Sequence, residues 1–461
     1  MYTESEYRQA RLSRDARFDG KFFVAVKTTK IFCRPICPAP SPKEANVVYY
    51  QTAPQALNEG FRPCLRCRPD SAPNSYAWKG VDTTIERAIR LLSESSFLPI
   101  NQICDKLGIS DRYLRSLFEQ KVGQSPKQYQ LYQQMLFAKY LLHETALPIE
   151  HVAQASGFQS ARRLQDIMQK HMRLTPKQIR AKKKLMQPTL VLNIPFRPPY
   201  NWPHLRDFLK LRAVEGMEEV GTDYYKRTLV IGDTVGYFIA EHQHEQHCFK
   251  VTLCLNEHTH LKAVLFHIRR VLDIDADINL IESAIKQTGL DISDPDSGIR
   301  LPGVWSTFEA GCRAILGQQI SVVAAIKLLS KLVHELGEPA EKEYAPDQSL
   351  NIRFPSPNAV ANSSLEFLGM PQKRRDSLRA FAEHCVESAN EENVDGWLSI
   401  KGVGPWTINY AKMRGLSEPD IWLGTDLVIK KRLSSHPIRP ELASPWGSYL
   451  TFHMWNKESH D

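Results

Sequence analysis

The sequence predicts a multidomain α+β protein, as its length, two breaks in composition and a change of hydrophobic periodicity indicate. The chain has 461 residues, which at roughly 150 residues per domain is enough for about three separately buried cores. The composition breaks at the Pro-, Ser- and Asn-rich stretch 69–75 and at the basic run 180–184, and both are typical of linkers. With the third part divided in two, we expect boundaries that give residues 1–74, 75–187, 188–280 and 281–461.

The overall composition excludes two classes of protein. Hydrophobic residues make up 42% and charged residues 24% of the chain, near the averages for globular proteins, so neither wholesale disorder nor a membrane protein fits. The charged stretch 1–17 does not have the pattern of a secretory signal. We expect a cytoplasmic protein in which the nine cysteines are ligands, nucleophiles or core residues rather than disulfides.

Positive charge is concentrated in the first part of the chain. Residues 1–187 contain 30 Lys and Arg against 16 Asp and Glu, whereas residues 188–461 contain 29 against 35. The first part is therefore a candidate for binding a polyanion, and the remainder would have to bind nucleic acid through a local patch.

Residues 75–187 contain a repeat with an offset of 49 to 50 residues. Each copy has a short helix, a glycine turn and a second, basic helix, which is the plan of a helix-turn-helix. The second helix of such a unit can lie in the major groove of DNA. An ordinary helical hairpin is the alternative, and the doubled glycine turn weakens it. The residues that we expect to contact DNA are Arg112, Arg115, Arg162 and Arg163.

The third part opens with apolar and β-branched runs and then becomes helical. Runs at 190–196, 228–231, 235–240 and 249–255 indicate an antiparallel sheet. From residue 261 the periodicity is helical, so an α+β half leads into a helical half. Seven His and Cys within residues 242–260 look like metal ligands, but their alternating positions without a tight pair favour packed or solvated side chains.

Four cysteines in the first part are spaced as metal ligands. Cys33 and Cys37 form a C-x3-C pair, and Cys64 and Cys67 form a C-x2-C pair. Each pair can present two sulfurs to a tetrahedral ion, and four thiolates complete a structural zinc site. Because a part of this size is near the limit for folding on apolar burial alone, metal binding would contribute folding free energy. Four unrelated core cysteines are the alternative.

The same residues carry a family resemblance. The segments concerned are Phe18–Gly20, Val26–Thr29, Cys33–Cys37 and Gly60–Pro69. They resemble the amino-terminal domain of the Ada family of methyltransferases and transcription factors. The resemblance implies that Cys33 takes the methyl group from a methylphosphotriester in DNA while it remains a zinc ligand. Methylation would remove one negative charge near the phosphates, so the modified protein should bind DNA more tightly.

One departure from the Ada pattern concerns the substrate phosphate. Pro40 and its neighbours stand where the family usually places an arginine close to the second ligand. Contacts to the phosphate would then have to come from Arg34, Lys43 or Arg62. A zinc module that only binds is the alternative. The repeat that follows resembles the AraC-type DNA-binding domain, as expected behind an Ada sensor.

A hairpin and an aspartate stand out in the last part. Gly402 and Gly404 flank one apolar residue just before a helix, and such a turn can offer backbone amides to a DNA phosphate. Asp426 follows twenty residues after Trp406 and begins an apolar segment. A plain turn and a helix cap are the alternatives for the glycines and for the aspartate.

In this context the last part resembles the helix-hairpin-helix DNA glycosylases, most closely the AlkA type, 3-methyladenine DNA glycosylase II. The resemblance covers residues 190–456, and its segments are 198–208, 301–303, 308–321, 406–410 and 452–455. It implies that Asp426 is the catalytic carboxylate. It also implies a pocket for the flipped base, formed by Phe208, Trp406, Tyr410 and Trp455, although large aromatic residues are as often core.

Two further positions refine the expected activity. Trp406 stands where glycosylases that also cleave the backbone carry a lysine nucleophile, so a monofunctional hydrolase is expected. Gln319 stands where the AlkA type places an apolar wedge that fills the gap left by the flipped base.

These resemblances together imply a protein that repairs and responds to alkylation damage in DNA. We expect it to release alkylated purines such as 3-methyladenine from double-stranded DNA, and to couple methyl transfer onto Cys33 to transcriptional activation. One Zn²⁺ is the expected cofactor and RNA polymerase a further partner, with neither a membrane nor a small-molecule cofactor, at the nucleoid of a bacterial cytoplasm. The alternatives are a transcription regulator with a degenerate glycosylase half, and a glycosylase with a purely structural zinc module.

Overall fold

The computed structural model has the mixed helix and antiparallel-sheet architecture that the sequence predicts. It describes residues 4–13, 22–35, 37, 39–50, 55–56, 59–64, 67, 81–93, 97–180, 189–292, 297–341, 349–388, 393–435 and 437–456. The linker predicted at 69–75 and nearly all of that at 180–184 lie outside these residues. The chain divides into two compact units, one of residues 1–93 and 98–131 and the other of residues 94–97 and 132–461.

The first unit begins with a helix and a small sheet. The helix is α1 (Glu4–Ser13), and the strands are β1 (Phe23–Val26), β2 (Ile31–Cys33), β3 (Val47–Tyr50) and β4 (Arg62–Pro63) in the order β3-β1-β2-β4. Arg11 of α1 is buried and donates to Glu44 and to Tyr49 Oη. The sequence reasoning did not predict these elements, because strands of two to four residues carry little periodicity.

The repeated segment forms the predicted pair of helix-turn-helix units. Its helices are α2 (Val81–Ser93), α3 (Ile100–Leu107), α4 (Asp111–Lys121), α5 (Pro126–Glu144), α6 (Ile149–Ala155), α7 (Ala161–Met172) and α8 (Pro176–Ile179). Gly108 and Gly157 adopt positive φ in the two turns, and Ser110 and Ser160 cap the following helices. The helices α4 and α7 have the same burial pattern, residue by residue, over their first ten positions.

The second unit contains a five-stranded antiparallel sheet. Its strands are β5 (Leu190–Pro195), β6 (Glu218–Val220), β7 (Tyr224–Ile231), β8 (Thr234–Gln243) and β9 (Cys248–Leu255), in the order β5-β9-β8-β7-β6. Four of them coincide with the predicted apolar runs. The sequence reasoning missed β6, which is short and acidic.

Ten helices complete the described part of the second unit after residue 189. They are α9 (Trp202–Arg212), α10 (Leu261–Val271), α11 (Ile278–Gln287), α12 (Thr307–Leu316), α13 (Val322–Leu336), α14 (Pro357–Ala361), α15 (Gln372–Glu387), α16 (Pro405–Gly415), α17 (Leu427–Ser435) and α18 (Gly447–Asn456). They build two apolar clusters, one around α12, α13 and α15 and one around α11 and α18. Residues of both clusters line one cleft.

A buried ion network joins the sheet to these helices. Glu309 on α12 accepts from Arg227 of β7 at 2.9 Å and from Arg313 at 2.7 Å, and Arg313 also reaches Glu218 at 2.9 Å. All four side chains are nearly inaccessible to solvent, and paired charges tolerate such burial where single charges do not. No helix among the residues given above has the length and apolar character needed to cross a membrane.

Candidate functional site

The parallel pairing of β2 with β4 brings two of the predicted metal ligands together. Phe32 pairs with Pro63, so Cys33 and Cys64, which directly follow these two residues, lie side by side. The Cys64 N–H donates to the Phe32 carbonyl oxygen at 2.9 Å, which continues the strand pairing as far as the ligands. The short sheet therefore positions one cysteine from each of the two sequence pairs.

Cys37 and Cys67 complete the group. The sulfurs of all four cysteines lie within 4.8 Å of one another, and a tetrahedral zinc ion with Zn–S bonds of about 2.3 Å would hold its ligands about 3.8 Å apart. Cys37 and Cys67 are buried, whereas Cys33 and Cys64 are partially exposed. The four cysteines fit one Zn²⁺, as the sequence predicts.

The four thiols lie so close together that the pKa values of Cys33 and Cys67 shift, and a bound cation would favour the thiolate form of all four. A hydrogen bond with Cys33 is the main reason that the pKa of Cys67 falls to about 6, and the same bond is the main reason that the pKa of Cys33 rises. The Arg34 backbone N–H also donates to Cys67 Sγ at 3.3 Å. Zinc stabilises all of its sulfur ligands as thiolates, so one ion would replace this sharing of protons.

The three cations expected to hold a substrate phosphate differ in exposure. Lys43 and Arg62 are exposed, and Arg62 lies two residues before a ligand. Arg34 is partially buried, and its guanidinium donates to the Cys67 carbonyl oxygen at 3.5 Å. Arg34 therefore supports the ligand loop, while Lys43 and Arg62 are the more accessible cations.

The candidate DNA-reading residues lie on exposed faces of the second helix of each unit. Arg112 and Arg115 are exposed on α4, and Arg162 and Arg163 are exposed on α7. Arg115 pairs with Asp111 at 2.6 Å. The opposite faces of both helices are apolar and buried, so packing holds each basic face toward solvent.

Asp426 lies on the wall of the large cleft in the second unit. The cleft has a volume of about 1690 Å³, larger than the roughly 300–1,000 Å³ of small-molecule pockets. Asp426 Oδ1 accepts from the backbone N–H groups of Val428 at 3.0 Å and Ile429 at 3.4 Å, and from Trp455 Nε1 at 3.3 Å. Among the described residues, none donates a hydrogen bond to Oδ2. Asp426 thus caps α17, which is the alternative that the sequence left open, and the same residue lines the cleft.

The four aromatic residues expected in a base pocket line this same cleft. Trp406 and Tyr410 stack with ring centroids 5.3 Å apart at an interplanar angle of 22°. Phe208 and Trp455 both contact Phe452, with centroid distances of 5.2 Å. Each ring is only partly buried, so these residues belong both to the core and to the cleft.

The glycine hairpin and Gln319 form the edge of the cleft. Gly402 has φ +91°, and a Cβ there would lie 2.1 Å from Ser377 Oγ, so only glycine fits. A Cβ at Gly404 would meet nothing within 4 Å, which leaves its backbone open to a ligand. Gln318 Nε2 joins the two loops by donating to the Gly402 carbonyl oxygen at 3.0 Å, while Gln319 is exposed at φ +59°.

Sequence reasoning missed three arginines that line the cleft, Arg212, Arg313 and Arg414. Arg212 lies over the Phe208 ring at 3.7 Å, and burial lowers its pKa to about 10. The signal was present in the sequence, because Arg212 and Arg414 each follow a predicted pocket aromatic by four residues, which is one helical turn.

The part of the histidine-rich segment 242–260 around His242 packs in an aromatic group. His242 stacks on Phe196 at 5.5 Å and on Trp202 at 5.4 Å, and burial lowers its pKa to about 4. Within the part of the chain that the structure describes, the four cysteines are the group whose geometry suits a metal.

Three family models match three successive parts of the chain. The metal binding domain of Ada matches residues 6–70, a helix-turn-helix domain matches residues 103–182, and the AlkA N-terminal domain matches residues 191–306.

Individual relatives match the whole chain or one of its halves. A probable bifunctional transcriptional activator/DNA repair enzyme AlkA of Mycobacterium tuberculosis is 32% identical over 484 residues, covering 97% of this chain and 95% of its own length. DNA-3-methyladenine glycosylase 2 of Escherichia coli K12 is 31% identical over 279 residues, covering 57% of this chain and 96% of its own.

The bifunctional transcriptional activator/DNA repair enzyme Ada of Escherichia coli K12 is 38% identical over 128 residues, covering 28% of this chain and 35% of its own length. The mycobacterial match extends over both halves with few residues left out. This chain therefore belongs to the family of bifunctional transcriptional activators and DNA repair enzymes in which an Ada-type metal-binding domain, a helix-turn-helix domain and an AlkA-type glycosylase half form one polypeptide.

Proposed function

We propose that this protein repairs alkylated DNA with one half and senses alkylation with the other. Residues 1–74 would accept a methyl group, residues 75–187 would bind DNA, and residues 188–280 and 281–461 would together release damaged bases. The observation that carries the repair activity is the meeting of Asp426 with Trp406, Tyr410 and Trp455 in one cleft.

The substrates that suit this cleft are purines alkylated at N3 or N7. Such a base is cationic and already a good leaving group, so its release requires little general acid. Aromatic faces attract a flipped cationic base, and Trp406 and Trp455 offer them. Phe208 acts less directly, because the Arg212 guanidinium lies over its ring.

Asp426 would stabilise the positive charge that develops on the sugar as the glycosidic bond breaks. Its Oδ1 is held by two backbone amides and the Trp455 indole, so the carboxylate orientation is set before substrate binds. A charge that is oriented in advance stabilises a transition state without reorganisation. Water then attacks the sugar carbon, and the products are a free base and an abasic site.

The reaction should stop at base release, as in glycosylase II. Glycosylases that cut the backbone use a lysine amine, and among the described residues that line the cleft there is no lysine. By the resemblance to the helix-hairpin-helix glycosylases, Trp406 occupies the position of that lysine. The product should therefore be an intact strand with an abasic site, and borohydride should trap no covalent protein–DNA complex.

Gln319 is the candidate to fill the gap left in the duplex. It is exposed at the tip of a loop that Gln318 fastens to the hairpin, and its amide can bond to the orphaned base as well as occupy space. Leu427, which is 82% exposed beside Asp426, supplies an apolar surface at the cleft mouth.

Base release is tested with DNA treated with a methylating agent. The full-length protein should liberate 3-methyladenine, and the freed bases can be separated and identified chromatographically. If the protein bound this DNA but released no alkylated base, the glycosylase half would be degenerate and the chain a regulator alone.

Methyl transfer is the second proposed reaction. The Cys33 thiolate attacks the methyl carbon of the phosphotriester, an S–C bond forms, the C–O bond breaks, and the phosphodiester leaves as an anion. Cys33 and Cys64 are both partially exposed, and of these two the resemblance to Ada assigns the acceptor role to Cys33. Mass spectrometry should find one added methyl group on the Cys33 peptide, and its absence with zinc still bound would indicate a purely structural metal site.

The transfer would convert damage into a signal. A thioether in place of a thiolate removes one negative charge near the phosphates and strengthens DNA binding. We further propose that the protein so modified engages RNA polymerase at a promoter, at the nucleoid of a bacterial cytoplasm. The test is methylation-dependent transcription in a reconstituted reaction.

A further inference from the structure

The second helix-turn-helix unit contacts the glycosylase half through one side of α10. Gln154 Nε2 on α6 donates to Thr259 Oγ1 at 2.9 Å. The His151 and His258 rings stack with centroids 5.1 Å apart. His258 and Thr259 both lie just before the start of α10, so α6 rests against the segment that leads into this helix.

The contact continues along α10. The Lys262 ammonium lies 4.0 Å from the centre of the Phe97 ring, and Phe97 also packs near Phe137 of α5 at 6.4 Å. Two turns further along α10 lies Arg269; burial raises the pKa of Tyr140 on α5 to about 12, and the positive charge of Arg269 opposes this rise. Lys262 and Arg269 are seven residues apart and therefore share a helix face. The second helix-turn-helix unit thus belongs to the same compact unit as the glycosylase half, whereas α3 and α4 belong to the other.

This arrangement leaves the basic helix of the second helix-turn-helix unit available. The contact uses α6, while Arg162 and Arg163 are exposed on α7. Neither arginine has an ion pair within the described ranges of the chain. In the first helix-turn-helix unit, by comparison, Arg115 forms an ion pair with Asp111.

The net charges of the glycosylase half and of the second helix-turn-helix unit have opposite signs. Residues 188–461 are acidic, with 29 Lys and Arg against 35 Asp and Glu, and DNA affinity depends mainly on phosphate neutralisation. The helix α7 contains three Lys and Arg against one Asp. The second helix-turn-helix unit therefore adds the basic helix α7 to a glycosylase half whose own net charge is negative.

We propose that the second helix-turn-helix unit is the DNA anchor of the glycosylase, holding undamaged duplex beside the cleft through Arg162 and Arg163. This inference rests on the proposed base release. It assigns α7 a role in repair in addition to reading a promoter.

The test compares base release by the full-length protein and by Arg162→Gln/Arg163→Gln on a duplex of several helical turns that contains one 7-methylguanine. KM should rise about tenfold with kcat unchanged. The slope of log KM against log salt should fall by about 1.8, since each phosphate contact contributes about 0.9. A KM and a slope equal to those of the wild type would overturn the proposal.

Two further variants make the result specific. Lys139→Gln removes an exposed charge from α5 of the same compact unit and should leave KM within about twofold of the wild type, as expected for a surface change outside α7. Arg112→Gln/Arg115→Gln makes the matched change in the first helix-turn-helix unit and should raise KM less. An equal rise would show general attraction by any basic helix and would overturn the assignment to the docked unit.

The contact itself is tested with His151→Ala/Gln154→Ala. In that background the two arginine substitutions should raise KM less than they do in the wild type, because coupled sites are not additive. A fully additive effect would contradict a role for the contact. If the wild type released no base, the proposed function would fail, but anchoring would still be measurable as the loss of affinity of Arg162→Gln/Arg163→Gln for undamaged duplex.

Discussion

The indole N–H of Trp455 lies 3.3 Å from Asp426 Oδ1, the same oxygen that caps α17. One carboxylate oxygen therefore holds the start of a helix and the end of α18 together. Among the described residues none donates a hydrogen bond to the other oxygen, and Asp426 lines the cleft. The capping role and the proposed catalytic role would therefore rest on different atoms of one side chain, so a substitution can separate them.

Asp426→Asn should abolish most base release without unfolding the protein. Asn caps helices about as well as Asp, so thermal unfolding should change little, while loss of the charge should lower the single-turnover rate of base release roughly 100- to 1,000-fold. The matched control is Asp420→Asn, another helix-associated aspartate outside the cleft lining. A rate equal to that of the wild type would remove Asp426 from the mechanism.

The glycine hairpin offers a pair of substitutions with opposite expectations. Gly402→Ala should destabilise the second unit by about 1–3 kcal/mol, because the backbone has φ +91° and the added Cβ would clash with Ser377. Gly404→Ala has room and an ordinary φ, so its stability should match the wild type. Thermal unfolding separates the two.

The affinity of the Gly404→Ala variant for DNA tests whether a phosphate contacts the open backbone at Gly404. A methyl group there should weaken binding to duplex DNA if a phosphate approaches the hairpin amides closely. Binding and stability that are both unchanged in Gly404→Ala would contradict a phosphate contact at this position.

The outline of the fold could be predicted from the sequence because its signals are local. The pairs at Cys33 and Cys64 and the glycine turns of the repeat are short-range patterns, and the structure places them as expected. The sheet that brings Cys33 beside Cys64 could not be predicted, since a two-residue parallel pairing leaves no periodicity. The attachment of α6 to α10 is a tertiary contact between exposed polar residues, for which a single sequence carries no signal.

Cys67→Ser should reduce bound zinc well below one ion per chain. Oxygen from serine is a poor substitute for a thiolate, and structural zinc contributes on the order of 10 kcal/mol to folding of small domains. Methyl transfer should be lost with the metal. Zinc content is measured on the purified protein, and Cys248→Ala, a buried cysteine outside the group, should retain one ion. Full zinc in Cys67→Ser would show that this residue is not a ligand.

Asp273 should make the stability of the second unit depend on pH. Burial raises its pKa to about 7, although the Leu301 N–H, Arg300 and the Tyr449 hydroxyl oppose the rise. Because the folded-state pKa exceeds the unfolded value of about 4, the folded protein holds a proton that the unfolded chain releases. The stabilisation is complete below about pH 4 and is lost as the pH rises to 7, by on the order of 4 kcal/mol. Asp273→Asn should remove this slope in denaturant unfolding measured across the range, whereas Asp275→Asn, at an exposed neighbour whose charge contributes least to the shift, should reduce the slope only slightly. An unchanged slope in Asp273→Asn would assign the titration to another group.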